Sequence, residues 1–318
     1  MRKFYLLISL VLASLWLFTF SLADEVAPSR QEIRIIIVSH GAATDPFWRV
    51  VKNGIDQAQK DLGVRVEYHA PQSFDMSLMS KLIDLFAGAR PDGMIVTIPD
   101  AEALGPAIQK ATAMGIPVIS MNSGSDAFKS LGVLRHVGQT EYEAGFGGGQ
   151  FMADAGGTVG LCVNHEPGNI ALDLRCQGFA DGLGKDITVL GVSPDSAEIE
   201  AAVARALDAN PNINTILAAG PVSAEPTLKV LRDRGLIQDI SLGCFDLSPT
   251  VLSALSNNEM SFAIDQQQWL QGYLAVTTLV NYIQYGLLPG NDIILTGPGF
   301  VTPENAAQVI TLSQRGIR

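Results

Sequence analysis

The chain has 318 residues, with 21 Lys and Arg against 32 Asp and Glu, a formal net charge of −11 and 47% hydrophobic residues. That acidic balance excludes nucleic acid and anionic membrane as partners, since both are held by Lys/Arg patches; it is the ordinary surface charge of a soluble protein. The length suits two domains or one large one.

The first residues read as an export signal. Arg2 and Lys3 precede an apolar run from Phe4 to Phe20, and Ser21-Leu22-Ala23 places small residues where a signal peptidase cuts. A membrane anchor is the rival, because about 20 apolar residues cross a bilayer. The small-residue end favours cleavage after residue 23, and no Cys follows for lipid attachment. Loss of Arg2 and Lys3 takes the net charge from −11 to −13.

From Glu32 onward, short β-branched apolar runs alternate with helix-length amphipathic stretches. The expected strands are 33–39, 64–69, 93–98, 117–122, 136–139, 158–164, 187–192, 215–220, 240–246 and 260–265. The first intervening stretch shows the helical period in Phe47, Val50, Val51, Gly54, Ile55 and Ala58. Strand-helix alternation means parallel sheets covered by helices on both faces. Strands that are apolar throughout agree, being buried on both sides. Ten strands are too many for one typical sheet of about 5–6, so two α/β lobes are expected. No low-complexity linker separates them, so short ordered crossings must join them, near 136–140, 262–266 and 293–297.

The three cysteines are Cys162, Cys176 and Cys244. Cys162 and Cys244 sit in buried-strand runs and read as free thiols packed as small hydrophobes; a Cys162–Cys176 bridge is the minor alternative. No spacing resembles a metal site. Gly145-Phe-Gly-Gly-Gly149 lies in a helix-period segment and reads as close helix packing rather than a phosphate cradle.

Ligands of open α/β sheets bind beyond the carboxyl ends of the strands. The residues there are rich in Asn, Asp, Gln, Arg and aromatics. They include Asp45, Phe47 and Trp48 in TDPFW, Asn122, Asn169 and Arg175 in NHEPGNIALDLRCQGF, Asp246, and Gln266 in AIDQQQW. Asp45 can cap a helix or accept a ligand hydroxyl, and one of Phe47 and Trp48 must be core. Asp246 can bind ligand or cap the helix after Ser248. His165 and Glu166 lack a neighbouring nucleophile and read as loop-capping. No Ser-His-Asp set and no adjacent carboxylate pair appears, which argues against a secreted α/β hydrolase.

These motifs, in this order from about residue 32 to about 315, resemble the periplasmic sugar-binding proteins of the ribose/galactose-binding class, which feed ABC importers. They are DPFW, PDAEALGPAIQKATAMGIPVISMNS, EPGN…R…GF, GCFDLSP and AIDQQQWLQGY. The resemblance implies two Rossmann-like lobes joined by a hinge, the type I periplasmic binding protein fold. The first lobe is expected over 32–138 plus 266–294, the second over 139–264 plus 295–318. It also implies a ligand set of Asp45, Phe47, Trp48, Asn122, Asn169, Arg175, Asp246 and Gln266, with no cofactor and no metal. The implied function is periplasmic capture of a monosaccharide, polyol or amino sugar by a monomer that delivers it to a permease. A sensing role toward a chemoreceptor or sensor kinase is the alternative. Three departures detach the ligand identity from ribose or galactose. Ser123 stands where ribose binders carry an arginine, Gly220-Pro221 where Asn-Asp is typical, and no aromatic is evident near 195–199.

Overall fold

The computed structural model describes residues 28–41 and 45–318. The signal-peptide reading of residues 1–23 lies outside them. Among the described residues no helix is long and apolar enough to cross a membrane.

The first half of the chain alternates strand and helix: β1 Arg34–Val38, α1 Pro46–Leu62, β2 Arg65–His69, α2 Met76–Gly88, β3 Gly93–Val96, α3 Ala101–Ala113, β4 Val118–Met121 and β5 His136–Gly138. The second half repeats the scheme with α4 Glu141–Asp154, β6 Gly160–Asn164, α5 Ile170–Leu183, β7 Ile187–Gly191, α6 Ser196–Ala209, β8 Thr215–Ala218, α7 Pro221–Arg234, β9 Ser241–Phe245, α8 Pro249–Ser256 and β10 Phe262–Asp265. The closing elements are α9 Gln268–Tyr285, β11 Ile293–Leu295, β12 Gly299–Val301 and α10 Ala306–Gln314.

Two six-stranded sheets result, in the orders β11-β5-β4-β3-β1-β2 and β12-β10-β9-β8-β6-β7. Every neighbouring pair is parallel except β10 with β12. The chain passes between the sheets after β5, after β10 and after β11. Continuous burial explains the strands: Ile35, Ile36, Ile37 and Val38 are all fully enclosed, because helices cover both faces of the sheet. The strands β11 and β12 have three residues each, too few to show a period. β11 falls within the crossing expected near 293–297, and β12 lies just past it.

Local rules set the helices. Asp45 caps α1, Pro46 supplies its first residue, and Gly63 ends it at φ 70. Its buried stripe is Trp48, Val51, Ile55 and Ala58, a 3.6-residue period laid on the first sheet.

The glycine run serves helix packing, as expected. A Cβ on Gly145 would strike the carbonyl oxygen of Arg175, and one on Gly149 that of Phe179; on α5, Gly178 and Gly182 meet the carbonyls of Tyr142 and Phe146 in the same way. With no side chain between them, α4 and α5 touch backbone to backbone. Any larger residue at these four positions would separate the helices.

The cysteine reading needs correcting. Cys162 on β6 and Cys176 on α5 form a disulfide, with Cα atoms 5.7 Å apart, while Cys244 is a buried free thiol. Sequence spacing cannot show this, because the bridge depends on α5 crossing directly over β6, which brings the two within bridging range. Closing a loop of this length is worth about 3 kcal/mol. The Cys162→Ala/Cys176→Ala double variant should lose about that much in urea denaturation, and dithiothreitol should bring the wild type down to the same value. Equal stability of variant and oxidised wild type would show that the bridge contributes nothing.

Candidate functional site

The carboxyl ends of the two sheets face one another across a cavity of about 570 Å³. Asp45, Phe47, Trp48, Asn122, Asn169, Arg175, Asp246 and Gln266 all line it. Asp100, another strand-end acid, does not; its carboxylate caps α3 through the amides of Glu102 and Ala103.

In the first lobe, Asp45 Oδ1 accepts the Phe47 amide at 2.8 Å. Burial raises the Asp45 pKa against the lowering effect of that bond, and the charge of Glu166 from the other lobe raises it further. Trp48 is the buried member of the aromatic pair and Phe47 the half-buried one. The Trp48 ring stands edge-on to His40 with centroids 4.8 Å apart. His40 follows β1, at the strand end where ligands bind, and lines the cavity although it lies outside the expected ligand set. Its Nδ1 lies 2.8 Å from Thr97 Oγ1, the same oxygen that accepts the His40 amide. Thr97 Oγ1 thereby ties down both the backbone and the ring of His40. Burial pulls the His40 pKa down to about 4, so the ring is neutral at pH 7. Asn122 adopts φ 66, a left-handed conformation that Asn tolerates. Its Nδ2 donates to Gln266 Oε1 at 3.2 Å, tying the first lobe to the second crossing.

In the second lobe, Arg175 is buried, with three of its five N–H donors engaged. Its Nε and Nη2 fork onto Glu141 at 2.7 and 3.2 Å, and Nη1 donates to the Ala219 carbonyl at 2.8 Å. Asp246 lies 3.6 Å from Nη1, and the guanidinium rests over the Phe245 ring. Glu141 escaped the sequence reading because an acid opening a helix is an ordinary dipole preference and its partner lies 34 residues away. Asp246 does not cap the following helix. Ser248 does, accepting the Val251 amide, while Asp246 Oδ1 accepts Gln266 Nε2 at 2.7 Å. Asn169 caps α5 and also donates to Glu166 at 2.8 Å. His165 lines the cavity with Nδ1 3.3 Å from Ser223 Oγ, and burial pulls its pKa down to about 4.

The lobes touch directly at the mouth. The Ile170 amide, one of the free donors of the first turn of α5, donates to the Pro99 carbonyl of the first lobe at 3.1 Å. The cleft is closed. Inside it Arg175 is balanced by Glu141 and lies beside Asp246, so the charges facing the space are mainly acidic: Asp45, Glu166 and Asp246. That lining suits hydroxyl donors and rejects anions.

Burial pushes the Asp246 carboxyl up to about 7, against the lowering effect of Arg175. A raised native pKa means the group favours the fold below its ordinary range near 4, and that this contribution is lost as pH climbs through about 7. Asp246→Asn should therefore be more stable than wild type at pH 8, by on the order of 1–4 kcal/mol, with the gap closing by pH 4. Guanidinium denaturation at the two pH values measures it; a pH-independent difference would mean Asp246 is ionised at no cost.

The model of the periplasmic binding protein domain family matches residues 35–287. A carbohydrate transporter from Acidothermus cellulolyticus, solved in complex with myo-inositol, is 32% identical, with a TM-score of 0.85 covering 90% of this chain and 100% of that one. The xylose/arabinose-binding protein XylF of Sulfolobus acidocaldarius is 23% identical over 304 residues, 90% of this chain and 75% of the relative. The ribose import binding protein RbsB of Bacillus subtilis is 24% identical over 245 residues, 75% of this chain and 78% of the relative. Two parallel-sheet lobes closing on one polar cavity are thus matched along nearly the whole length, and the chain belongs to the periplasmic binding protein family.

Proposed function

We propose that the chain captures a neutral polyhydroxylated ring, a monosaccharide or cyclic polyol, outside the cytoplasm and hands it to an ABC importer. The observation that carries this is one cavity walled from both lobes: Asp45, Trp48 and Asn122 on one side, Asn169, Arg175 and Asp246 on the other, with Gln266 at the crossing. Amides donate and accept, and carboxylates accept from hydroxyls, while Phe47 and Trp48 offer ring faces to C–H surfaces. The relative bound to myo-inositol supports a ring of this class, as do those named for xylose, arabinose and ribose. The family binds solutes rather than transforming them, and sugar import by ABC transporters is its common role among these relatives.

On this reading the protein works as a monomer exported by cleavage after residue 23. The three crossings act as the hinge, since a ligand touching both lobes binds the closed state more tightly and shifts the equilibrium toward it.

Calorimetry against myo-inositol, D-xylose, L-arabinose and D-ribose tests the reading, together with small-angle scattering. At least one should bind and make the particle more compact, and Asp246→Asn should weaken that binding at least tenfold, the range for a buried charged partner. Failure of all four, and of every glycoside tried below, to bind would sink the proposal; binding without compaction would remove the hinge.

The mouth contact makes a separate prediction. Pro is tolerated at the first helical position, and Asn169 before it is already extended at φ −83, ψ 107, as a residue before Pro must be. Ile170→Pro therefore deletes one N–H and leaves α5 intact. Affinity should fall about two- to tenfold, the worth of one hydrogen bond, through faster dissociation in stopped-flow tryptophan fluorescence. An unchanged off-rate would show that the bond does not hold the lobes shut.

A further inference from the structure

The cavity is larger than its two-lobed part requires. At the packing density of organic matter a pyranose fills roughly 200 Å³, whereas the cavity measures about 570 Å³. The lining continues past Asp246 along the second lobe, between α6, α7 and the start of α8, as a groove that opens to solvent at the exposed Ser196. Its walls are Ser196, Glu200, Val222, Glu225, Pro226 and Thr250. All six belong to one lobe, so this space does not depend on how far the cleft has closed.

The backbone at the end of β8 opens the passage. Gly220 leaves room for the His165 ring, since a Cβ there would come within 2.8 Å of His165 Cε1. The α7 helix then starts with Pro221 and Val222, short side chains that leave the corridor clear. The far end reaches solvent at Lys229, whose side chain is 56% exposed.

The chemistry of the walls selects what enters. Glu225 is held by Ser248 Oγ at 2.7 Å, and Glu200 is held by Lys229 at 2.8 Å. Lys229 is already shared between Glu200 and Asp233, so no free cation awaits a phosphate or carboxylate. Carboxylate and hydroxyl oxygens beside the apolar Val222 and Pro226 fit a neutral group with hydroxyl donors and C–H faces.

We propose that this compartment is a second subsite, and that the preferred ligand is a neutral glycoside: a ring held between the lobes, carrying a glycosyl or polyol unit that lies along α7. This rests on the sugar reading above and extends it.

The test is calorimetry with matched pairs: D-xylose with xylobiose, D-glucose with cellobiose and maltose, and myo-inositol with galactinol. At least one glycoside should bind wild type five- to tenfold more tightly than its parent ring. Val222→Trp and Thr250→Trp, made separately so that one misfolded variant does not end the test, should erase that advantage while parent affinity stays within twofold. If parent rings bind and every glycoside binds more weakly, or if both variants weaken parent and glycoside alike, the subsite is wrong and the sugar reading stands. If no parent ring and no glycoside binds wild type, both fall together.

Discussion

The buried fork between Arg175 and Glu141 is the contact on which the site depends. Arg175 has no exposed path for its charge, and an unpaired buried guanidinium would cost several kcal/mol. Glu141 answers it from another helix, 2.7 Å away. The pairing is possible because Gly145, Gly149, Gly178 and Gly182 let α4 and α5 meet backbone to backbone. The same fork holds the guanidinium against the Ala219 carbonyl and over Phe245, setting the floor on which Asp246 stands. Glu141 also receives Gln139 from the first crossing at 3.0 Å. A packing motif in the second lobe is thereby wired to the segment about which the lobes would turn.

The two lobes solve the site in parallel ways. In each sheet the strand order reverses at one place, between β1 and β3 in the first and between β6 and β8 in the second. Crevices form there in open α/β sheets. Each lobe puts a histidine at that spot, His40 after β1 and His165 after β6, and each ring touches a hydroxyl of its own lobe, Thr97 or Ser223. Burial keeps both rings neutral. Neutral imidazoles offer directed hydrogen bonding without adding charge to a cavity that already holds several carboxylates.

Much of this was legible in the chain. Parallel strands buried on both faces announce themselves as continuous apolar runs, and all ten expected strands form. Because binding residues sit at strand ends, naming the strands also named Asp45, Asn122, Asn169, Arg175, Asp246 and Gln266, and these do gather around one cavity. What the sequence hid depends on relations between distant elements. Glu141 looks like routine helix-start chemistry until α5 is laid beside it. The Cys162–Cys176 bridge needs the crossing of α5 over β6. The orientation of His40 is decided by Thr97, 57 residues away. The strands β11 and β12 are too short to carry a period and are recruited by the sheets they join.

Closure itself is a contest between dielectric and contact. Shutting the cleft removes water and brings Glu166 of one lobe toward Asp45 of the other, and each raises the cost of ionising what is buried there. Asp246, pushed up to about 7 in the closed cleft, carries that loss of solvent as the largest cause of its shift. Arg175 offsets the Asp246 cost only in part, its Nε and Nη2 being committed to Glu141. Against that cost stand the mouth bond from Ile170 to Pro99, worth about 1 kcal/mol net, and the tie from Asn122 to Gln266. Hydroxyl donors placed against Asp45 and Asp246 would add to the partners these carboxylates already hold in the Phe47 amide and Gln266. On the proposed mechanism, the carboxylates whose burial is costly are the ones that make closure answer to the ligand.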